Sequence, residues 1–599
     1  MSQRVDLRFN GRPVRVPRGV TLFDAASWNG IAIDSTCGGH GTCKKCRIRF
    51  RADPPAPTSL DVRAYTAQEI TDGWRLACRT TATTDADIEV PPLTTRPKAA
   101  TVGVGRQVIL RPAISKRYLE LAEPNLADQV TDLERVLAGL TDLDPTADLH
   151  VLRTLGPTLR QADFKVTAVV ADDVLIAVEP GDTTDRSFGL AFDLGTTTVV
   201  ATLLDLTTGT PVAVESMLNK QQPFGADVIT RISATMLDPG ALNKLRELAQ
   251  QTLAELAAAV CENSEVQPDE VYEVALAGNA TMVHLVLGLD PEPLGVAPFI
   301  MAARLLPEVR ARDLGVPAHP AARAVIFPAF GAYVGGDITA GLLASGMDRD
   351  PRVRLFIDIG TNCEIVLGGR DWLLATAAPA GPAFEGAAIR CGMRAADGAI
   401  EAVTLTADGD LKITVIGDAE PAGLCGSGLV DAVTALVEAG LLDGSGRFVP
   451  GDQAERIAPP LAGRLTTIGQ ERAFVLHGGI YLSQRDVREL QFAKAAIATG
   501  WRILLEEAGL AADDVKQVLL AGSFGSYLSP KSAIRIGLVP DVPVPRVVAA
   551  GNVAGEGAKM ALLSVRERAA GLALLEEVRY VELSDRADFN DRFIDQLSF

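Results

Sequence analysis

Positive charge, aromatic side chains and long apolar runs are all scarce in this sequence of 599 residues. The formal net charge of −18 disfavours a nucleic-acid partner, because binding to a phosphate backbone needs a concentrated basic surface. No apolar run approaches the roughly 20 residues that cross a bilayer. Arg4, Asp6 and Arg8 stand where a signal peptide would begin its apolar stretch. We therefore expect a cytoplasmic protein that binds neither nucleic acid nor a membrane.

Cysteine is also sparse, and the eight copies are unevenly distributed. Four of them are isolated, and the other four form a group near the amino terminus: Cys37, Cys43, Cys46 and Cys78. In a large cytosolic chain, clustered cysteines hold metal more often than they form disulfides. This group is therefore the first candidate metal site.

The spacing within this group is C-x5-C-x2-C, followed by 31 residues and the fourth cysteine. Plant-type 2Fe-2S ferredoxins use C-x4-C-x2-C with a distant fourth cysteine, and the longer first gap here resembles the adrenodoxin-like branch. The alternative is a structural zinc site, whose four ligands usually come as two close pairs. Cys37 and Cys78 each lack such a near partner, which favours a 2Fe-2S cluster and a one-electron carrier.

Changes in composition divide the chain into four parts. Residues 1–95 contain short strand-like runs between glycine-rich loops, as in a compact β-rich domain. From Pro91 the run PPLTTRPKAATVGVGRQ (91–107) is rich in proline, glycine, threonine and alanine, which is typical of a linker, and residues 96–120 are assigned to it. Residues 121–186 predict a small α+β middle domain. In residues 187–599, strand and helix patterns alternate, so the chain as a whole is predicted to be a multidomain α/β protein.

An internal repeat runs through the last of these parts. The run LAFDLGTTTVVATLLD (190–205) recurs as LFIDIGTNCEIVLG (355–368), and each is followed by a similar apolar strand and small-residue turn, VALAGN (274–279) and VLLAGS (518–523). Two motifs in the same order twice predict two tandem half-domains of related design.

The repeated D-x-G-T turn suits phosphate binding. Its glycine and threonine expose backbone N–H and hydroxyl donors, while its aspartate can orient Mg²⁺ or its waters. The candidate nucleotide-binding residues are Asp193, Gly195, Thr196 and Thr197 in the first turn, Asp358, Gly360, Thr361 and Asn362 in the second, and Gly522 and Ser523 after a later strand. Alone, either turn could be an ordinary β-turn, and the repeat favours the functional interpretation. No G-x4-G-K-[ST] loop occurs.

These motifs together resemble the ASKHA superfamily, which includes sugar kinases, actin and the large heat-shock chaperones. Longer runs narrow the match to the reductive activators of corrinoid-dependent enzymes. These runs are GNATMVHLVLG (278–288), FPAFGAYVGGDITAG (327–341), DIGTNCEIVLG (358–368), APAGPAFEGAAIRCGMRAADGAI (378–400) and LAGSFGSYLSPKSAIRIGLVP (520–540).

The resemblance implies a β-grasp-like 2Fe-2S ferredoxin domain, a linker, a middle domain and a duplicated, actin-like ATPase domain. It implies that the protein uses ATP and Mg²⁺ to pass one electron from the cluster to Co(II), regenerating Co(I) in a methyltransferase system such as methionine synthase or a demethylase. The implied partners are a corrinoid protein or corrinoid-dependent methyltransferase and a low-potential electron donor. Asp193 and Asp358 become the catalytic candidates, with Asp337 and Glu385 as further carboxylates in the matching motifs.

Two other functions stay open at this point. A small-molecule kinase fused to a ferredoxin would transfer phosphate without a corrinoid protein. A nucleotide-dependent redox sensor would use the cluster state to control partner binding. The sequence also leaves open whether the chain forms a homodimer.

Overall fold

The computed structural model describes residues 4–27, 29, 31, 33–34, 44–91, 100–360, 362–386 and 388–599, with the backbone but not the side chain of Ser523. None of the helices within these ranges combines the length and the apolar character that a membrane crossing requires. The described chain forms two small β-rich units followed by two larger α/β half-domains.

The first unit is a five-stranded sheet with the order β2-β1-β5-β3-β4. Its strands are β1 Arg4–Phe9, β2 Arg12–Pro17, β3 Arg47–Phe50, β4 Trp74–Leu76 and β5 Ala86–Glu89, and its helices are α1 Leu22–Ser27, α2 Ser59–Ala64 and α3 Ala67–Thr71. Alternate residues of β1 and β3 are buried in one apolar core. Asp61 caps α2 and also accepts the backbone N–H of Leu76 at 2.8 Å, which ties the helix to β4.

A four-stranded sheet with the order β6-β8-β9-β7 forms the second unit. Its elements are β6 Ile114–Glu120, α4 Asp132–Gly139, β7 Thr146–Ala147, α5 Leu149–Gln161, β8 Lys165–Ala171 and β9 Val174–Pro180. Strand β6 lies within residues 96–120, the stretch with linker composition, and pairs with β8 along its whole length. Helices α4 and α5 cover one face of this sheet and share its core.

The first half-domain is built on a six-stranded sheet with the order β12-β11-β10-β13-β15-β14. Its strands are β10 Phe188–Leu194, β11 Thr198–Asp205, β12 Pro211–Leu218, β13 Val271–Gly278, β14 Val309–Arg310 and β15 Arg323–Ile326. Its helices are α6 Val228–Leu237, α7 Ala241–Glu262, α8 Ala280–Leu287, α9 Glu292–Gly295 and α10 Gly336–Ser345.

The second half-domain repeats this plan with the strand order β26-β25-β16-β17-β18-β27 and carries two extra three-stranded sheets. Its strands are β16 Arg354–Ile359, β17 Cys363–Gly369, β18 Trp372–Ala378, β19 Ala399–Leu405, β20 Leu411–Val415, β21 Gly423–Leu424, β22 Leu465–Ile468, β23 Glu471–His477, β24 Ile480–Ser483, β25 Gln517–Ala521, β26 Val547–Gly551 and β27 Val578–Tyr580. Its helices are α11 Gly426–Glu438, α12 Gly451–Ile457, α13 Pro459–Ala462, α14 Gln484–Glu507, α15 Gly522–Gly525, α16 Pro530–Arg535, α17 Val553–Leu563, α18 Val565–Glu577 and α19 Phe589–Asp595.

The two half-domains share one topology, as the internal repeat predicts. In each, an antiparallel three-stranded meander is extended by parallel strands: β13 and β15 follow β10, and β25 and β26 follow β16. The carboxyl ends of parallel strands meet at one edge of a sheet, where ligands of α/β folds bind. Each meander therefore directs its D-x-G-T turn towards the junction between the halves.

Helices α10 and α17 cross in close contact at this junction. A Cβ atom added at Gly557 of α17 would overlap the carbonyl group of Ala340 in α10. On the other helix, Gly341 faces Val553, and an added Cβ would come within 3.0 Å of its Cγ2. The two glycines therefore let the helix backbones approach, and they hold the half-domains against each other.

The segment just before the small sheet lies along the edge strand β26. The N–H of Val104 donates to the carbonyl of Ala550 at 2.6 Å, and the N–H of Asn552 donates to Val102 at 3.2 Å. An added Cβ at Gly103 would lie 2.5 Å from the backbone of Asn552, so this close pairing requires a glycine. Arg106 then anchors the segment to Glu567. The chain that leaves the first unit is thus fixed beside the junction.

We predict that Gly557→Ala lowers the midpoint of thermal unfolding, because the new methyl group forces α10 and α17 apart. Overpacking of this kind costs about 1–3 kcal/mol. Gly463→Ala is the matched control, because nothing lies within 4 Å of its added Cβ and its φ is −66°. Equal midpoints for the two variants in differential scanning calorimetry would contradict the proposed role of the crossing.

Candidate functional site

A cleft between the half-domains collects most of the residues that the sequence singled out. The space between its walls, including the open mouth, amounts to about 860 Å³. The predicted residues that line it are Asp193, Gly195, Thr196, Thr197, Asp358, Gly360, Asn362 and Gly522. Thr361 and the side chain of Ser523 fall outside the described residues. The sequence-predicted turns therefore converge on one space.

The first turn joins β10 to β11 and needs a glycine at its start. A Cβ at Gly195 would overlap the carbonyl oxygen of Thr198. The carbonyl of Gly195 accepts the side-chain amide of Asn219 at 3.0 Å, and the carbonyl of Thr196 accepts Nη2 of Arg231 at 2.6 Å. These bonds hold the turn's carbonyls away from the cleft.

The hydroxyl groups of this turn differ in their partners. Oγ1 of Thr196 accepts the side-chain amide of Asn279 at 3.0 Å. The buried Oγ1 of Thr197, by contrast, has no hydrogen-bond partner among the described residues. A buried hydroxyl without a partner costs free energy, so Thr197 is suited to donate to a ligand in the cleft.

The second turn joins β16 to β17 and faces the start of α15. Gly522 has a φ of +83°, and a Cβ there would overlap Oδ1 of Asp358. The Asp358 carboxylate therefore rests against the Gly522 backbone, where a larger residue would displace it. Only a glycine satisfies both the left-handed backbone and this close approach.

Two asparagines that the sequence analysis did not assign to the site also line the cleft. Asn279 follows β13 and caps α8 by accepting the N–H of Met282 at 2.9 Å. Asn552 follows β26, caps α17 by accepting the N–H of Gly555 at 2.8 Å, and hydrogen-bonds to Asp193. Their signal is present in the sequence, since VVAAGN (547–552) repeats VALAGN (274–279).

Five carboxylates face this cleft: Asp193, Asp337, Asp358, Glu364 and Glu385. Burial and the charge of Asp337 raise the pKa of Asp193 to about 7, although the hydrogen bond from Asn552 opposes the shift. Burial, followed by the charges of Asp337 and Asp193, likewise raises the pKa of Asp358. Burial raises the pKa of Asp337 and, more strongly, that of Glu364.

This negative charge has no counterpart within the cleft. The described lining residues include no lysine, arginine or histidine. Buried carboxylates that repel one another favour a bound cation or a bound proton. Hard divalent cations such as Mg²⁺ prefer carboxylate oxygens and commonly bridge them to substrate phosphates. The donor set therefore fits Mg²⁺ together with a polyphosphate.

A second candidate site lies in the first unit, where β3 and β4 pair. Cys46 directly precedes β3, and Cys78 is the second residue after β4. The N–H of Ala77 donates to the carbonyl of Cys46 at 2.8 Å, and the two Sγ atoms lie 3.1 Å apart in a buried position. Cys37 and Cys43 fall outside the described residues. The strands thus bring together two of the four predicted ligands.

Four protein families match successive parts of the chain. Residues 7–83 match the 2Fe-2S iron-sulfur cluster binding domain, 103–185 the RACo linker region, 188–350 the RACo middle region, and 352–599 the C-terminal domain of RACo, described as the ASKHA domain. These matches confirm the predicted ferredoxin domain and the predicted ASKHA fold.

Individual proteins match over nearly the same range. The chain is 32% identical to the corrinoid activation enzyme RamQ of Eubacterium limosum, covering 96% of this chain and 95% of that one. The solved structure of a reductive activator for corrinoid, iron-sulfur protein has a TM-score of 0.74 and 35% identity, covering 99% and 98% of the two chains. The Co(II) methylated amine-specific corrinoid protein reductase of Methanosarcina barkeri is 23% identical over 61% of this chain and 68% of its own.

We predict that binding of Mg²⁺ with the ATP analogue AMP-PNP releases protons at pH 7. The carboxyl groups with raised pKa values are partly protonated before the cation binds, and the cation requires them ionised. Apparent affinity should therefore increase from pH 6 to pH 8, by up to about tenfold per pH unit for each proton released. Titration calorimetry in buffers of different ionisation enthalpy measures this release.

The matched control is Asp337→Asn. This substitution removes the charge that raises the pKa of both Asp193 and Asp358, so fewer protons should be released on binding. Binding without net proton exchange in the unsubstituted protein would contradict this view of the cleft.

Proposed function

Because this chain belongs to the RACo family of reductive activators of corrinoid proteins, we propose that it uses ATP to deliver one electron from its 2Fe-2S cluster to the Co(II) corrinoid of a partner protein. The product is Co(I), the state that accepts a methyl group in a methyltransferase system. This conclusion rests on the match to a corrinoid activation enzyme over almost its full length. The chain also joins a ferredoxin domain to an ASKHA domain.

The electron is held in the first unit, with Cys37, Cys43, Cys46 and Cys78 as the proposed cluster ligands. A 2Fe-2S cluster supplies one-electron redox chemistry when bound. The burial of Cys46 and Cys78 in the apolar core excludes water from that side and keeps both thiols at fixed positions. A separate low-potential donor must reduce the cluster between turnovers.

ATP is proposed to bind in the cleft with its phosphates between the two D-x-G-T turns. Thr197 would donate its free hydroxyl to a phosphate oxygen, and Asp193 and Asp358 would hold Mg²⁺ or its waters. Mg²⁺ neutralises phosphate charge, which the cleft itself does not do because its described lining has no cation. Asp193 and Asp358 come from different half-domains, so a ligand that contacts both also joins the halves.

Energetics explain why such a reaction is coupled to ATP. Plant-type clusters have potentials near about −400 mV, and reduction of a weakly ligated Co(II) corrinoid needs an electron at a comparable or lower potential. A ligand shifts an equilibrium only through its different affinity for two states. Closure of the half-domains on ATP provides two such states, and hydrolysis returns the protein to the open one.

Two variants should separate electron transfer by the cluster from the use of ATP in the cleft. Cys46→Ser removes a proposed cluster ligand, so it should abolish cobalt reduction while AMP-PNP affinity stays unchanged. Asp358→Asn should keep the visible spectrum of the cluster and lose ATP-dependent cobalt reduction by about 10²–10³-fold, as for loss of a group that stabilises transferring charge. Absorption spectroscopy under anaerobic conditions and nucleotide titration give these two readouts.

Cys261→Ser provides the matched control, because Cys261 is a buried cysteine of α7 that lines neither site. It should retain both cobalt reduction and nucleotide binding. Cobalt reduction that persists in Cys46→Ser would contradict the proposed route of the electron. Phosphate transfer to a small molecule by the unsubstituted protein, with no change at cobalt, would instead favour a kinase.

A further inference from the structure

Two arginines occupy the region where the ferredoxin domain meets the nucleotide cleft. Arg231 lies on α6 and is only 1% exposed, and Arg394 follows the motif that contains Glu385. Burial lowers the pKa of Arg231 to about 9, and the neighbouring charge of Arg394 adds to the shift. Two cations held this close in a buried place need anionic or carbonyl partners.

Arg231 is fully occupied by the first half-domain. Its Nη2 donates to the carbonyl of Thr196 in the first turn, its Nη1 to Oε1 of Gln221 at 3.0 Å, and its Nε to the carbonyl of Gly225 at 3.1 Å. It therefore connects the phosphate-binding turn rigidly to the segment that follows β12.

Arg394 has partners that belong to different parts of the molecule. With the Gln222 amide oriented so that its oxygen faces the guanidinium, that oxygen accepts both Nη atoms, at 2.9 and 3.2 Å. The carboxylates of Glu385 and Asp34 lie near enough to stabilise its charge and oppose the effect of burial on its pKa. Arg394 is thus shared between the cleft and the ferredoxin domain.

The ferredoxin domain contacts this same segment directly. Oγ of Ser27, the last residue of α1, donates to the carbonyl of Pro223 at 2.6 Å. Gln222 and Pro223 belong to one short 3-10 helix, Gln222–Phe224. Asp34 is 8% exposed and precedes the proposed cluster ligand Cys37 by three residues. The negative charge of Asp34 therefore lies on the side of the ferredoxin domain that faces the arginine.

Arg394 also lies beside the proposed phosphate site. It lines a small cavity together with Thr197, Thr198 and Glu385, and these three residues line the nucleotide cleft as well. Among the described lining residues of this cavity Arg394 is the single cation. A polyphosphate in the cleft would meet the charge of Arg394 there, whereas Arg231 is already held by three oxygen acceptors of its own half-domain.

We propose that Arg394 is a positioning residue that couples the two sites, because Asp34 of the ferredoxin domain and a phosphate group in the cleft compete for its guanidinium. With the cleft empty, Arg394 binds Gln222 and attracts the charge of Asp34, and together with the bond from Ser27 to Pro223 this holds the cluster domain against the half-domains. With nucleotide bound, Arg394 turns towards the phosphate, and the cluster domain is released to approach a corrinoid partner. This inference rests on the proposed nucleotide site.

Competition of this kind is reciprocal. If bound nucleotide weakens docking of the ferredoxin domain, then weakened docking must strengthen nucleotide binding by the same factor. Removing the charge of Asp34 should therefore raise nucleotide affinity, although Asp34 belongs to a different domain. A loss of folding or of local structure would not produce such a gain.

The test compares Asp34→Asn with Asp53→Asn in the full-length, cluster-loaded protein. Asp53 is an exposed carboxylate of the same domain, so both variants lose one negative charge. Titration with Mg²⁺ and AMP-PNP should give at least about fivefold tighter binding for Asp34→Asn, within the usual range of coupling between sites. Asp53→Asn should bind as the unsubstituted protein does.

Small-angle X-ray scattering gives the second readout. The radius of gyration of the unsubstituted protein should increase when AMP-PNP and Mg²⁺ are added, whereas Asp34→Asn should already be expanded without them. Unchanged or weaker nucleotide binding by Asp34→Asn would overturn the proposal, as would scattering that does not respond to nucleotide. Neither measurement uses a corrinoid protein, so their outcome is independent of whether cobalt is reduced.

Discussion

Mutual repulsion among buried carboxylates is the constraint on which the arrangement of this molecule depends. Asp193 and Asp337 come from the first half-domain, Asp358 and Glu364 come from the second, and no cation lies among the described residues that line their cleft. Neutralising that charge removes a repulsion that opposes closer approach of the half-domains. The tight crossing of α10 and α17 keeps them joined while the cleft is open. A nucleotide with a divalent cation is thus suited both to bind in the cleft and to change the separation of the two half-domains.

The ferredoxin domain is attached to this cleft at two separate places. Residues 102–104 lie along β26 beside Asn552, which hydrogen-bonds to Asp193. On the other side, Ser27 contacts Pro223, whose neighbour Gln222 binds Arg394. A change at the phosphate-binding turns can therefore reach the cluster domain through short, hydrogen-bonded paths. Electron transfer to a partner protein benefits from such control, because a ferredoxin domain held at Pro223 is less able to approach that partner.

The two D-x-G-T turns and the internal repeat could be predicted from the sequence because they depend on local backbone requirements. Gly195 and Gly522 occupy positions that a side chain would block, so the turns are visible as motifs, and the repeat follows from their order. Contacts between distant segments of the chain produce no such motif in the sequence. Arg394 and Asp34 are 360 residues apart, and nothing near either one indicates the pairing. Composition around residue 103 did not distinguish a flexible linker from a segment paired with β26. Gly103 permits the close pairing with β26, but glycine is also typical of linkers. Asn552 could have been found, since its turn repeats that of Asn279.

ATP drives an electron from the cluster to cobalt, and a single-turnover experiment can follow that electron at both centres. The protein, with its cluster reduced beforehand, is mixed anaerobically with a Co(II) corrinoid protein, and the spectra of cluster and cobalt are followed together with and without ATP. We expect Co(I) to appear only with ATP and one cluster to be oxidised for each cobalt reduced. ATP consumption with unchanged cobalt, or cobalt reduction at the same rate without ATP, would contradict it.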